Sequence, residues 1–151
     1  GIISELRRSQ QSLTGSYALQ VAQPQQIIFY SNVDSDANPE RVRYFSSSTS
    51  LYLGIVKATG TTPTYNVASE TLSIVQRNLG NGTSTPIFTF YDGSYVGSST
   101  QAALTQPVEV TDVKFVKVTL KVLNRIGFST TTTVTVSNGG AIRSLKTNLG
   151  N

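Results

Sequence analysis

Residues 27–45 read IIFYSNVDSDANPERVRYF, and this stretch decides the fold class. Two runs rich in β-branched and aromatic residues, 27–30 and 41–45, flank a polar loop. Such residues fit a pleated, half-buried surface, whereas Asp, Asn and Pro are what turns select. The segment therefore reads as a β-hairpin. Its loop sets Asn32, Asp34, Asp36, Asn38 and Glu40 at every second position. Oxygen-bearing side chains at alternate positions can converge on one hard cation, because the residues between them let the backbone curl around it. Asp34, Asp36, Asn38 and Glu40 are the candidate metal ligands. The ion they would suit is calcium (Ca2+), since every donor is a carboxylate or amide oxygen. The loop lacks the mid-loop glycine and long flanking helices of an EF-hand, so it is not that motif. The plainer reading is a turn in which Asp and Asn side chains bond their own backbone.

Upstream, Ile2, Ile3, Leu6, Leu13, Tyr17 and Val21 fall near one face at helical spacing. Gly15 weakens that helix by about 1 kcal/mol relative to Ala, and Pro24 would end it. The pattern predicts a helix over 1–23 that lies on a sheet through Leu6, Leu13 and Tyr17. Downstream, Ser50–Val56 alternates, with Leu51, Leu53 and Ile55 on one face. Residues 57–68 form a loop. Residues 69–79 suit a helix capped by Ser69 and also a strand built on Thr71, Ile74 and Val75; we read them as a short helix or irregular segment. Residues 86–91 are a strand before the Asp92-Gly93 turn, and 97–106 a polar loop. Residues 113–123 and 128–137 alternate as half-buried antiparallel strands joined at Gly127, and the tail from Asn138 is a candidate edge strand. The expectation is one α+β domain over residues 1–151. Its helix, 1–23, packs on antiparallel sheet of about seven to nine strands drawn from 25–151.

Composition narrows the function. The 151 residues include no Cys and no His, which removes disulfides, thiolate metal sites, the commonest general base and nearly every zinc site. Only 13% of residues are charged, and Ser, Thr, Asn, Gln and Gly fill the gap, a composition suited to an exported β-rich protein. No nucleophile–base pair can be named, so we expect no enzyme. Asp34 and Asp36 share one short loop and cannot flank a sugar from opposite faces as glycoside hydrolysis requires. The net charge of +4 is spread along the chain without a stacking platform, so no specific nucleic-acid binding is expected. Tyr65 and Tyr95, in loops, are the tyrosines that could line a sugar-binding surface. No run approaches the roughly 20 apolar residues of a membrane helix, and no signal-peptide pattern is read in the residues from Gly1 onward.

The order Phe29-Tyr30-Ser31, acidic loop, Glu40-Arg41-Val42-Arg43-Tyr44 resembles a hairpin in the soluble domains of type IV pilin-like proteins, the minor pilins and pseudopilins of pili and type II secretion systems. The likeness is strongest over 17–45 and continues more weakly through 86–91 and 112–122. It implies that residues 1–23 are the C-terminal half of a long first helix whose apolar, membrane-anchoring part precedes Gly1. It implies a structural minor subunit at the cell surface, anchored in the membrane before assembly. Its partners would be other pilin subunits, joined through that helix in a filament or at its tip. The rival expectation is a β-rich adhesion module that binds glycan or protein on a host or cell surface.

Overall fold

The structure, a computed structural model, describes residues 1–98, 100–124 and 129–137. After a short helix, α1 (Ile2–Arg7), the chain forms β1 (Leu19–Gln23), β2 (Gln26–Ser31), β3 (Glu40–Ser47) and β4 (Ser50–Val56). Two short strands, β5 (Ala58–Thr59) and β6 (Thr64–Tyr65), precede β7 (Thr71–Gln76). Then come β8 (Phe88–Tyr91), β9 (Phe115–Leu123) and β10 (Ser129–Ser137). A five-stranded antiparallel sheet runs β1-β2-β3-β4-β7, a three-stranded one runs β10-β9-β8, and β5 pairs with β6.

The fold is thus mostly β, and the expected α+β architecture with a long helix is corrected. Helix α1 spans 6 residues and not 1–23. Beyond Arg8 the Ser, Gln and Thr residues turn their bonding elsewhere. The Gln10 N–H donates to the Tyr30 carbonyl (2.8 Å), which lies on β2 and not one helical turn back. The Ser16 N–H donates to Ser12 Oγ (2.8 Å), the local competition that makes serine a poor helix former. Gly15 sits at φ +87°, outside the helical region. The next residues join the sheet: Leu19 and Ala22 are buried on β1, and Pro24-Gln25 is a two-residue turn between paired Gln23 and Gln26. Leu6 and Tyr17 do face the core, but Leu13 is 42% exposed.

The hairpin of residues 27–45 forms with Phe29 opposite Val42 and Ile27 opposite Tyr44. Directly paired residues share a face, so these four point inward, and all are buried. The β3–β4 turn at Ser48-Thr49 continues the register, placing Tyr44 opposite Leu53 and Val42 opposite Ile55. Against this face stand Phe88, Phe90, Val116 and Val118 from the other sheet, with Leu6 between the layers' residues in one apolar cluster. The expected alternation of β9 holds: Val116 and Val118 are buried and Leu120 packs on the core. The Tyr44 hydroxyl reaches α1 and donates to the Glu5 carboxylate. Burial, reinforced by that carboxylate, raises the Tyr44 hydroxyl far above its ordinary range.

Within residues 69–79 the chain forms strand β7 (Thr71–Gln76) and no α-helix, after a single 3-10 turn at Val67–Ser69. Pairing with β4 decides the case, since Thr71, Ile74 and Val75 are β-branched and fit it. The expected Gly127 turn and the tail from Asn138 lie outside the described residues. The opposite face of the first sheet is polar in the middle. Gly54 leaves room there for the Glu70 side chain: a Cβ at 54 would stand 2.4 Å from the Glu70 carboxylate. Glu70 takes two bonds from Arg43, from Nε (2.9 Å) and Nη2 (2.6 Å), with Arg41 3.8 Å away. Arg43 also lies 3.7 Å from the centre of the Phe45 ring, a cation–π contact.

Two outcomes follow from this packing. Leu6→Ala should destabilise by about 2–4 kcal/mol, because it empties a core site, while Leu13→Ala should change stability by under about 0.5 kcal/mol. Denaturant titration of both variants checks the pair, and equal losses would contradict the placement. The second concerns Glu70, whose carboxyl the Arg43 guanidinium holds below the usual range. Its depressed folded pKa adds stability that is present above the ordinary carboxylate pKa and lost as pH falls through the folded value. Glu70→Gln should therefore melt earlier than the parent at neutral pH, by about 1–3 kcal/mol, and the gap should close in acid. Melting curves across pH read this directly; a pH-independent gap would contradict it.

Candidate cation site in the β2–β3 loop

β2 ends at Ser31 and β3 begins at Glu40, and these two residues are register partners. Both lie on the inner face, one step beyond the Phe29–Val42 pair. A carboxylate and a hydroxyl thus sit where the apolar core runs out. Glu40 is 1% exposed and Ser31 0%. The loop between them is tied by its own side chains. Glu40 Oε2 accepts the Val33 N–H (2.9 Å), Asp34 Oδ1 accepts the Asp36 N–H (2.9 Å), and Asp36 Oδ1 accepts the Asn38 N–H (2.7 Å). The Asn32 side-chain amide donates to the Asp36 carbonyl. These are the turn bonds that the residue types select, so the hairpin-turn reading and the convergent-oxygen reading both describe this loop.

Three of the four candidate ligands meet. Asp34, Asp36 and Glu40 each bring a carboxylate oxygen within 4.8 Å of the other two. Asn38 contributes its backbone N–H to Asp36 and stands exposed. Two oxygens absent from the candidate set lie at the base of the loop. Ser31 Oγ and Asn32 Oδ1 are buried and have no hydrogen-bond partner among the described residues. Asn32 belonged to the alternation of oxygens in the sequence. Ser31 gave no signal, because a serine at a strand end is ordinary. Lys57 was also missed: its ammonium pairs with Asp34 Oδ2. Register could have found it, since Arg41 pairs with Val56 and one step further sets Lys57 opposite Glu40.

The electrostatics are uneven. The Lys57 ammonium, with the Asp36 N–H, holds the Asp34 carboxyl below its usual range. Hydrogen bonding to Asp34 raises Lys57 in turn. Burial pushes Glu40 up, and the nearby Asp34 and Asp36 charges push it further. Three carboxylates therefore face one ammonium. The donor set is oxygen throughout, which suits a hard cation and not a soft one.

The two loop tyrosines fare differently. The Tyr65 hydroxyl donates to the Pro39 carbonyl (2.7 Å), and its ring packs on Tyr30. Tyr95 packs between Tyr91 and Phe115 with tilted rings, at centroid separations of 4.2 and 5.3 Å. No helix among the described residues is long and apolar enough to cross a membrane. No protein-family model, curated protein or solved structure matches this chain.

Proposed function

We propose that the chain is a non-catalytic structural module of a cell-surface assembly, a minor subunit of a type IV pilus or type II secretion pseudopilus. The pilin-like class rests on the order of residues 29–44, and the observation that carries assembly with another chain is the outer edge of the first sheet. Strand β7 ends the sheet order, it is uncharged from Thr71 to Gln76, and Leu72 (51%), Ile74 (38%) and Val75 (44%) are exposed. Natural sheets guard such edges with Lys, Pro or a covering segment, because an open strand templates pairing with another chain. Here a bulge at Val75 is the only such device within the strand. The occupant we assign is the β7 strand of a second copy. An antiparallel pairing centred between Ser73 and Ile74 sets Glu70 of one copy opposite Arg77 of the other, so the ends are complementary in charge.

This moves the assembly surface from residues 1–23 to a strand edge. Of the apolar residues that a helix of 1–23 would carry, Leu6 is buried in this chain's own core and Ile2, Ile3 and Tyr17 pack against it. The rival reading, an adhesion module, rests on free tyrosines, and Tyr65 has both its hydroxyl and its ring engaged. Sedimentation of the protein over a concentration series tests the proposal. The parent should self-associate, and Ile74→Lys should weaken association by roughly tenfold or more while leaving the melting transition nearly unchanged. A parent that stays monomeric at the highest concentration, or a variant that associates as well, would overturn it.

A further inference from the structure

We propose that the β2–β3 loop binds one calcium ion and that Lys57 is its built-in competitor. The ion takes carboxylate oxygens of Asp34, Asp36 and Glu40 with Ser31 Oγ and Asn32 Oδ1, and displaces the Lys57 ammonium from Asp34. This inference is independent of the strand-edge reading of β7.

Two separate observations carry it. The first is the convergence of three carboxylates within 4.8 Å. Calcium–oxygen distances run to about 2.6 Å, and three oxygens within 4.8 Å of one another lie no more than about 2.8 Å from a common point, so a small closure of the loop lets a single calcium touch all three. An acidic cluster alone would prove little. The second observation is the pair of orphaned oxygens beneath it. Ser31 is fully buried, its Oγ has no partner among the described residues, and its register partner is Glu40 on the same face. Asn32 is held toward the loop by its own bond to the Asp36 carbonyl, and its Oδ1 is buried and unpartnered. Buried polar oxygens without partners are rare, and each one calls for an explanation. A cation explains both at once, since a hydroxyl and an amide oxygen are acceptable calcium ligands next to carboxylates.

Lys57 completes the logic. It supplies a single positive charge, at the loop's open side, where its side chain is 62% exposed. An exposed ammonium on a flexible stem leaves readily. A divalent ion seated deeper would neutralise Glu40, which the lysine does not bridge among the described ion pairs. Magnesium is the poorer fit, because it demands regular octahedral geometry and keeps several waters. The site also touches the flap of β5 and β6. That flap follows Lys57 directly and is tied to the loop by the Tyr65–Pro39 bond.

Calorimetric titration of the chelator-stripped protein with calcium chloride decides the matter. The parent should show one saturable site, and its melting temperature should be higher in calcium than in chelator. Asp36→Asn should weaken binding roughly tenfold or more, and Ser31→Ala should weaken it several-fold. Lys57→Gln should tighten it several-fold, a change opposite in sign to that expected if the ion pair only braced the loop. Asp36 is exposed, so its variant folds and remains decisive even if a change at Glu40 does not. Absence of saturable binding with equal melting in calcium and chelator would overturn the proposal. So would binding that Asp36→Asn leaves intact, or Lys57→Gln binding more weakly than the parent.

Discussion

The side chain of Asn81 fixes how the two large sheets face each other. It is 1% exposed, and its amide nitrogen donates to the carbonyls of Thr85 (3.2 Å) and Thr119 (2.9 Å) while its oxygen accepts the Lys121 N–H (2.8 Å). The chain leaves the first sheet at β7 and must cross to β8. Along that crossing Leu79 bridges to Val122, and the Gly80 N–H donates to the Lys121 carbonyl (2.6 Å). Gly80 is the residue that permits this approach, because a Cβ there would stand 3.0 Å from the Leu123 side chain. One buried amide thus binds a loop to the middle of β9. Without it, backbone groups of three residues would be left to find new partners in a dry site, at about 1–3 kcal/mol each. That crossing brings β9 to the first sheet, and Val116 and Val118 of β9 share one buried apolar cluster with Phe29 and Val42.

Strand β3 shows how one sequence run serves both sides of a sheet. Its inward residues are Glu40, Val42 and Tyr44; its outward residues are Arg41, Arg43 and Phe45. The outward arginines close on Glu70 above Gly54, so the polar face is held by charge and ring contact. The inward row begins with a carboxylate. That position is the first inward one past the Phe29–Val42 pair, where the Glu40 carboxylate meets the loop through the Val33 N–H. The candidate cation site is therefore placed by strand register, since a one-residue slip would turn Glu40 outward and take Ser31 with it.

Strands β4 and β9 were legible in the sequence because their apolar residues alternate, and the hairpin because two β-branched and aromatic runs flank a loop of turn residues. The helix of 1–23 was not. Its apolar spacing was compatible with a helix, but the Gln10 N–H bonds β2 and Ser12 bonds its own neighbourhood, and neither a distant partner nor a local side-chain bond leaves a trace in apolar periodicity. Strand β7 was misread for the same reason: its assignment rests on β4, with Tyr52 opposite Ile74, and not on its own pattern. Asn81 stands between two glycines, a setting that turns select, and its burial depends on β9 lying alongside. At the candidate site, Asp34, Asp36 and Glu40 were visible as spaced acids, whereas Ser31 and Lys57 became visible only through register.

The shielded carboxylates of this chain are not treated alike, and the contrast bears on what the loop is for. Glu70 has two arginines. Glu5 accepts the buried Tyr44 hydroxyl. Glu40 is the most deeply buried of the three, yet it receives one backbone N–H and stands beside two further acids. Burial and like charge act on it in the same direction, which makes its ionised form costly in the chain alone. A fold that only needed a turn here could place a neutral side chain at 40 and keep the Val33 bond. Keeping a carboxylate at the rim of the core, above an unpartnered serine, is an arrangement whose strain is relieved by positive charge from outside the chain.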